Sequence, residues 1–148
     1  MQKKSITIVC FANYCRSPVA EALLNLRFGD HFSFNSAGIK PFESGGMDPR
    51  SGRFLKERFN IEYPFHVPKI INKRIIESSF MIFAMDHIVL TALNQKYFKY
   101  SKKIKVINFQ SRKVNIPDPY NFEINDYFEV LERIESVINE IDLESLWV

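Results

Sequence analysis

The stretch Cys10-Phe11-Ala12-Asn13-Tyr14-Cys15-Arg16-Ser17 sets a thiol, five residues, a guanidinium and a hydroxyl in succession. Five intervening residues are enough for the backbone to wrap one tetrahedral oxyanion with its amides pointing inward. Arg16 would then close the ring with two N–H bonds to the anion's oxygens. In this reading residues 11–17 form a phosphate-binding loop and Cys10 lies beneath the phosphorus. A free thiol of pKa ~8.5 is mostly protonated at neutral pH, but a helix amino end and an arginine lower such values to ~3.5–7.5. Ser17 is placed to donate a hydrogen bond to the thiolate. The product is a nucleophile able to take a phosphoryl group covalently. A cysteine alone reads more simply as a small buried residue ending a strand; Arg16 at this spacing is what adds the chemistry. Neither G-x-x-x-x-G-K-[ST] nor G-x-G-x-x-G occurs, which argues against the common nucleotide-binding loops.

Such a loop needs a strand before it and a helix after it, because open α/β sheets bind anions at the carboxyl ends of strands and the amino ends of helices. Ser5–Cys10 is β-branched and nearly continuous in its apolarity, the pattern of a strand buried on both faces. Ser17 as N-cap and Pro18 at the first helical position open a helix whose apolar face is Ala20, Leu23, Leu24 and Phe28, and Gly29 stops it. Residues 32–36 alternate as a second strand, and 37–48 read as a loop. Asp48-Pro49 starts a helix over about 49–59. Residues 80–84 form a third strand, 86–96 a helix and 103–107 a fourth strand, followed by an irregular loop over 108–124. Asp126 with Glu129 suggests a capping-box-like start for a strongly amphipathic helix carrying Tyr127, Val130, Leu131, Ile134, Val137, Ile138 and Ile141. Alternating strands and helices give an α/β fold around a parallel sheet.

Composition narrows the setting. The 148 residues are 46% hydrophobic and 25% charged, a globular mix that excludes collagen, coiled coil and disorder and suits one domain over 1–148. Cys10 and Cys15 are the only thiols, too few for a disulfide scaffold, which points to a reducing compartment and a cytoplasmic protein. The longest apolar run, residues 80–85, is far short of the ~20 residues that span a bilayer, so no membrane insertion is expected. The net charge of +3 averages a stretch, 96–113, with seven Lys or Arg against residues 123–144 with eight Asp or Glu. The basic stretch reads as a solvated face, and nucleic acid is not an expected partner. His31, His66 and His87 show no ligand spacing, so no metal and no cofactor are expected.

The residues also carry a family resemblance. Val9-Cys10-x-x-Asn13-x-Cys15-Arg16-Ser17-Pro18-x-Ala20-Glu21 resembles the signature of the low-molecular-weight protein tyrosine phosphatases. In order along the chain, Asn35-Ser36-Ala37-Gly38 resembles the family's S-A-G turn, Asp48-Pro49-Arg50 its D-P-R helix start, Ala84-Met85-Asp86 its strand-3 ending and Asp118-Pro119-Tyr120 its acid loop. The resemblance implies a four-stranded parallel sheet in the order 2-1-3-4 with helices on both faces. It implies hydrolysis of aryl phosphates, in a phosphotyrosine protein or a small molecule, through a cysteinyl phosphate. Cys10 would be the nucleophile, Arg16 the clamp, Ser17 the thiolate's partner and Asp118 the general acid and base; Asp118 alone would read as an Asx turn. Ser36 and His66 would support the loop through Asn13 and Ser17, and Phe42 and Tyr120 would wall the substrate pocket. Cys15 would be either a redox partner for Cys10 or a small loop-filling residue. A bacterial tyrosine kinase is one candidate protein substrate.

Three departures from that pattern bear on pocket shape. Ala12 replaces a usual glycine and would strain the loop if its φ were positive; Lys69 stands near a usual arginine and would loosen the His66 segment; Asn121 replaces a frequent second aromatic. Two other readings are an arsenate reductase on the same fold, disfavoured by the cysteine count, and a catalytically weak phosphotyrosine-binding module.

Overall fold

A computed structural model describes residues 2–63, 65–110 and 115–146. Four strands, β1 (Lys4–Cys10), β2 (Phe32–Gly38), β3 (Met81–Ala84) and β4 (Ile104–Val106), form one sheet in the order β2-β1-β3-β4. Every pairing is parallel. Because side chains alternate along a strand, each strand feeds two layers. Ile6, Ile8 and Cys10 of β1, with Met81 and Phe83 of β3, face a core shared with α1 (Ser17–Phe28), α2 (Pro49–Phe59) and α5 (Ile124–Glu140). Val9, Ile82 and Ala84 face the other way, against Ile76 of α3 (Lys73–Ser78) and Val89 and Leu93 of α4 (His87–Lys96). This is the expected α/β architecture with helices on both faces. β1 is an inner strand paired on both edges, so Cys10 ends one of the most constrained segments of the chain.

Several local expectations change. Ser17 does not cap α1: Arg16 holds the N-cap position without a side-chain cap bond, and the Ser17 hydroxyl is turned to the Cys10 sulfur instead. Ala37 and Gly38, read as loop and turn, belong to β2 and pair with Val9 and Cys10. The last long helix starts at Ile124 after Glu123, so Asp126 is a first-turn acid favoured by the helix dipole, not a cap. The six-residue α3 and the short 3₁₀ turns Phe98–Lys103 and Glu144–Leu146 are elements that the sequence patterns do not mark. Asp48 and Asp86 do cap α2 and α4, accepting from the Arg50 and Val89 amides. Of the basic stretch and the loop over 108–124, residues 111–114 lie outside the described residues. Among the described residues no helix is long and apolar enough to cross a membrane.

Gly38 is where the sheet meets the loop. A Cβ there would stand 2.9 Å from both the Asn13 nitrogen and the Phe11 oxygen, and 3.0 Å from the Ala12 carbonyl carbon, all of them backbone atoms. Gly38→Ala is therefore expected to destabilise the fold by about 1–3 kcal/mol, as overpacking does, and to weaken inorganic phosphate binding with it. Urea unfolding and phosphate titration check this; a variant within about 0.5 kcal/mol of the parent, the range of neutral surface changes, would contradict it.

Candidate active site

Seven consecutive carbonyls, from Cys10 to Arg16, are hydrogen-bonded to groups outside the loop or in the helix behind it. Ile39, Lys40 and Phe42 donate their amides to the oxygens of Cys10 (3.2 Å), Phe11 (2.8 Å) and Ala12 (2.9 Å). His66 Nε2 lies 2.8 Å from the Asn13 oxygen and, facing a carbonyl, must be the donor. The Asp48 amide takes Tyr14 (3.0 Å), the Ser51 hydroxyl takes Cys15 (2.8 Å) and the Ala20 amide takes Arg16 (3.0 Å). In a trans peptide the N–H points opposite to its C=O. With the carbonyls turned out, the amides of residues 11–17 turn in and form an anion nest at the amino end of α1. The Asn13 amide reaches the Cys10 sulfur at 3.2 Å, which puts that sulfur at the floor of the ring.

Asn13 is the joint of the loop. Its φ of 52° is left-handed, a conformation asparagine tolerates better than other side chains, whereas Ala12 has no positive φ. The strain expected at Ala12 is thus absent, because the turn falls one residue later. Asn13 Nδ2 donates one proton to Ser17 Oγ (2.8 Å) and one to Ser36 Oγ (2.9 Å), while Oδ1 accepts the Lys69 amide (3.0 Å). Since Ser17 Oγ accepts from Asn13, its own proton is free for the Cys10 sulfur, 3.0 Å away. Lys69 anchors the segment with its backbone on both sides, its carbonyl accepting the Gly38 amide, so a lysine in place of arginine does not remove this anchor. Ser36 and His66 stand beside Asn13, and the Ser17 contact runs through it.

Arg16 is 2% exposed. Its Nη1 donates to Asp86 Oδ2 (2.7 Å) and to the Ile116 oxygen (2.9 Å), which leaves Nε and Nη2 as donors for an anion. Asp86 also caps α4 through Oδ1, so the arginine is braced from a helix start. Residues 10–12, 14–16, 42, 118, 120 and 121 line a cleft of about 220 Å³, the size of one head group rather than a whole peptide. Tyr14 stacks on Phe42 with centroids 4.2 Å apart and planes at 17°, and Tyr120 stands 5.7 Å from Phe42. Asp118 is at the rim, exposed, its Oδ1 accepting the Tyr120 amide at 3.1 Å in an Asx turn. The Asx turn and a place on the cleft hold together here.

Cys15 points away from solvent. Burial is the main reason its thiol is pushed up to about 12, with Asp48 adding repulsion, and Sγ lies 3.9 Å from Asp48 Oδ2. Asp48 is itself buried; burial acts to raise its carboxyl, but the Arg50 side chain and amide overcome this and hold it below the usual range. Asp86, Arg50 and Tyr14 take parts that sequence reasoning missed. In the sequence Asp86 and Arg50 stand out only within short motifs, and Tyr14 only as a loop residue. Among the described residues no group of three or more His, Cys, Asp or Glu is placed to hold a metal ion.

A family model described as low molecular weight phosphotyrosine protein phosphatase matches residues 5–146. The low molecular weight protein-tyrosine-phosphatase Ptp of Acinetobacter johnsonii is 31% identical over 124 residues, 83% of this chain and 84% of that protein. Arsenate reductase 1 of Staphylococcus epidermidis is 38% identical over only 79 residues, 53% of this chain and 57% of that protein. The structure of the YwlE arginine phosphatase from Geobacillus stearothermophilus matches with a TM-score of 0.84 at 24% identity, covering 93% of this chain and 89% of that one, a likeness of fold alone. With the loop, the Asp118 segment and all of the sheet but Lys4 inside the matched span, the chain belongs to the low molecular weight phosphotyrosine protein phosphatase family.

Proposed function

We propose that the chain is a phosphatase that hydrolyses aryl phosphate monoesters, phosphotyrosine in proteins foremost, through a Cys10 phosphoenzyme. The observation that carries this reading is the inward-facing amide ring with the Cys10 sulfur at its floor and Arg16 at its edge. The sulfur attacks phosphorus, forming the S–P bond as the P–O bond to the aryl group breaks, and Asp118 gives its proton to the departing phenolate. Asp118, now a carboxylate, takes a proton from water as that water attacks phosphorus; phosphate leaves and the thiolate returns. Ring amides and Arg16 hold the three equatorial oxygens throughout, where charge builds in the transition state. The Ser17 hydroxyl and the Asn13 amide stabilise negative charge on the sulfur between turnovers.

The walls favour an aryl group. Tyr14, Phe42 and Tyr120 supply aromatic walls for a phenyl ring, and among the described residues Asp118 is the only acidic side chain on the cleft, so none of them besides the general acid is set to receive a cationic guanidinium. Arsenate reduction needs further thiols, and this chain has only Cys10 and the neutral Cys15. The thiol pair suits a reducing cytoplasm, and an autophosphorylated bacterial tyrosine kinase is a suitable protein substrate to test. Cys15 is proposed to trap oxidised Cys10: peroxide converts the Cys10 thiolate to a sulfenic acid, and condensation with the Cys15 thiol forms a disulfide and releases water.

Cys10→Ser is expected to abolish turnover of phenyl phosphate while still binding inorganic phosphate, and the parent is expected to hydrolyse a phosphotyrosine peptide far faster than phosphoserine or phosphoarginine peptides. Steady-state assays decide it; turnover by the serine variant would overturn the reading. Peroxide inactivation is expected to be fully reversed by dithiothreitol in the parent, whereas in Cys15→Ser excess peroxide carries the unguarded sulfenic acid on to the irreversible sulfinic acid and recovery is partial. Alkaline stability tests the thiol itself. Above its unfolded value of ~8.5 Cys15 loses its proton in the unfolded chain but keeps it in the folded one, so stability falls between ~8.5 and about 12, by up to about 1.4 kcal/mol per pH unit. Urea unfolding across that range is expected to show a shallower decline in Cys15→Ala.

A further inference from the structure

The segment around Asp118 is held by two arginines. On one side Arg16 takes the Ile116 carbonyl. On the other, Arg50 donates from Nη2 to the Tyr120 oxygen at 2.9 Å and from Nη1 to the Phe122 oxygen at 2.8 Å. Arg50 cannot swing freely, because Nε and Nη2 also donate to the two oxygens of Asp48 at 3.0 and 2.8 Å, and its guanidinium lies 4.0 Å over the Tyr127 ring. Asp48 in turn belongs to the phosphate loop's outer wall: its amide takes the Tyr14 carbonyl and its carboxylate faces the Cys15 thiol. One arginine therefore ties the acid segment to the scaffold that shapes the anion ring. Among the described residues Asp118 accepts one hydrogen bond, from the Tyr120 amide, and the carbonyl of that same Tyr120 is the one Arg50 grips.

We propose that Arg50 is the positioning residue for the general acid: acting through the Tyr120 and Phe122 carbonyls, and without touching substrate, it holds Asp118 where it can protonate the leaving group. The role needs a rigid fork. A lysine ammonium could answer the Asp48 charge, but it cannot serve both Asp48 oxygens and both carbonyls from one plane. The inference rests on the proposed assignment of Asp118 as acid.

Leaving-group dependence separates positioning from general damage. Phenolate is a poor leaving group and needs the proton; dinitrophenolate does not. Asp118→Asn is expected to lower kcat/KM for phenyl phosphate by about 100-fold or more, the range of general acid catalysis, with much less effect on dinitrophenyl phosphate. Arg50→Ala and Arg50→Lys are expected to show the same pattern with a smaller loss, about 10-fold for phenyl phosphate, a fraction of the acid's own contribution. Inhibition by inorganic phosphate should stay within about 2-fold of the parent in both, and Arg50→Ala added to Asp118→Asn should cause no further loss, as expected of residues that act as a unit. If Arg50→Ala does not fold, Arg50→Lys, which keeps the charge beside Asp48, carries the test. Equal losses on the two substrates, or additive losses in the double variant, would overturn the inference while leaving Asp118 as the acid. A leaving-group-independent Asp118→Asn would overturn the acid assignment and, with it, the inference.

Discussion

A peptide carbonyl that is hydrogen-bonded on one side commits its neighbouring N–H to the other, and in this chain that rule applies to seven peptides in a row. Short stretches of backbone do not choose this arrangement unaided, since converging amide dipoles repel one another. The outward partners enforce it, and they come from β2's continuation, from the amino end of α2, from the His66 segment and, for the Arg16 carbonyl, from the first turn of α1. The sheet order matters for the same reason. With β2 beside β1, the chain leaving β2 at Gly38 runs directly along the outside of the loop, close enough that a Cβ would collide with it. The positions of Cys10, Arg16 and the ring are thus consequences of how the third and fourth elements pack on the first two.

Within that frame, proton counts constrain polarity. Asn13 has two on Nδ2 and gives them to two hydroxyls, so Ser17 has its own left for sulfur. Arg16 gives both Nη1 protons to Asp86 and Ile116, so its other edge is left for the anion. Neither arginine is a buried charge without a partner: each is braced by an aspartate that also caps a helix, Asp86 at α4 and Asp48 at α2. Pairing and capping together satisfy more of each carboxylate than either would alone.

Much of this was legible in the sequence wherever the information is local. The β-branched run before Cys10, Pro18 after Ser17 and the three-and-four spacing from Tyr127 to Ile141 specify β1, α1 and α5 through sterics and periodicity. The spacing of Cys10 and Arg16 carried the ring. What stayed hidden is carried by backbone atoms or by distant pairs. The amides of Ile39, Lys40 and Phe42 act regardless of side chain, so no residue type marks them. Arg16 and Asp86 are 70 positions apart, as are Arg50 and Tyr120. Ser17 has every local feature of a cap, and the nearby sulfur outcompeted the helix for its hydroxyl. α3 has too few residues for propensity or periodicity to register, since a helix of fewer than two turns is stable only through its packing.

The inward ring has one more consequence, for the protein as a material. Converging N–H dipoles repel one another, a burden that the native state must hold, and any tetrahedral oxyanion seated there relieves it. Such a ligand binds only the folded chain, because the ring's outward partners are scattered from Ile39 to His66 and meet only when the chain has folded. Binding therefore adds to the unfolding free energy by mass action. Heat resistance in phosphate-containing buffer and inhibition by the product of turnover are then two readings of one equilibrium constant.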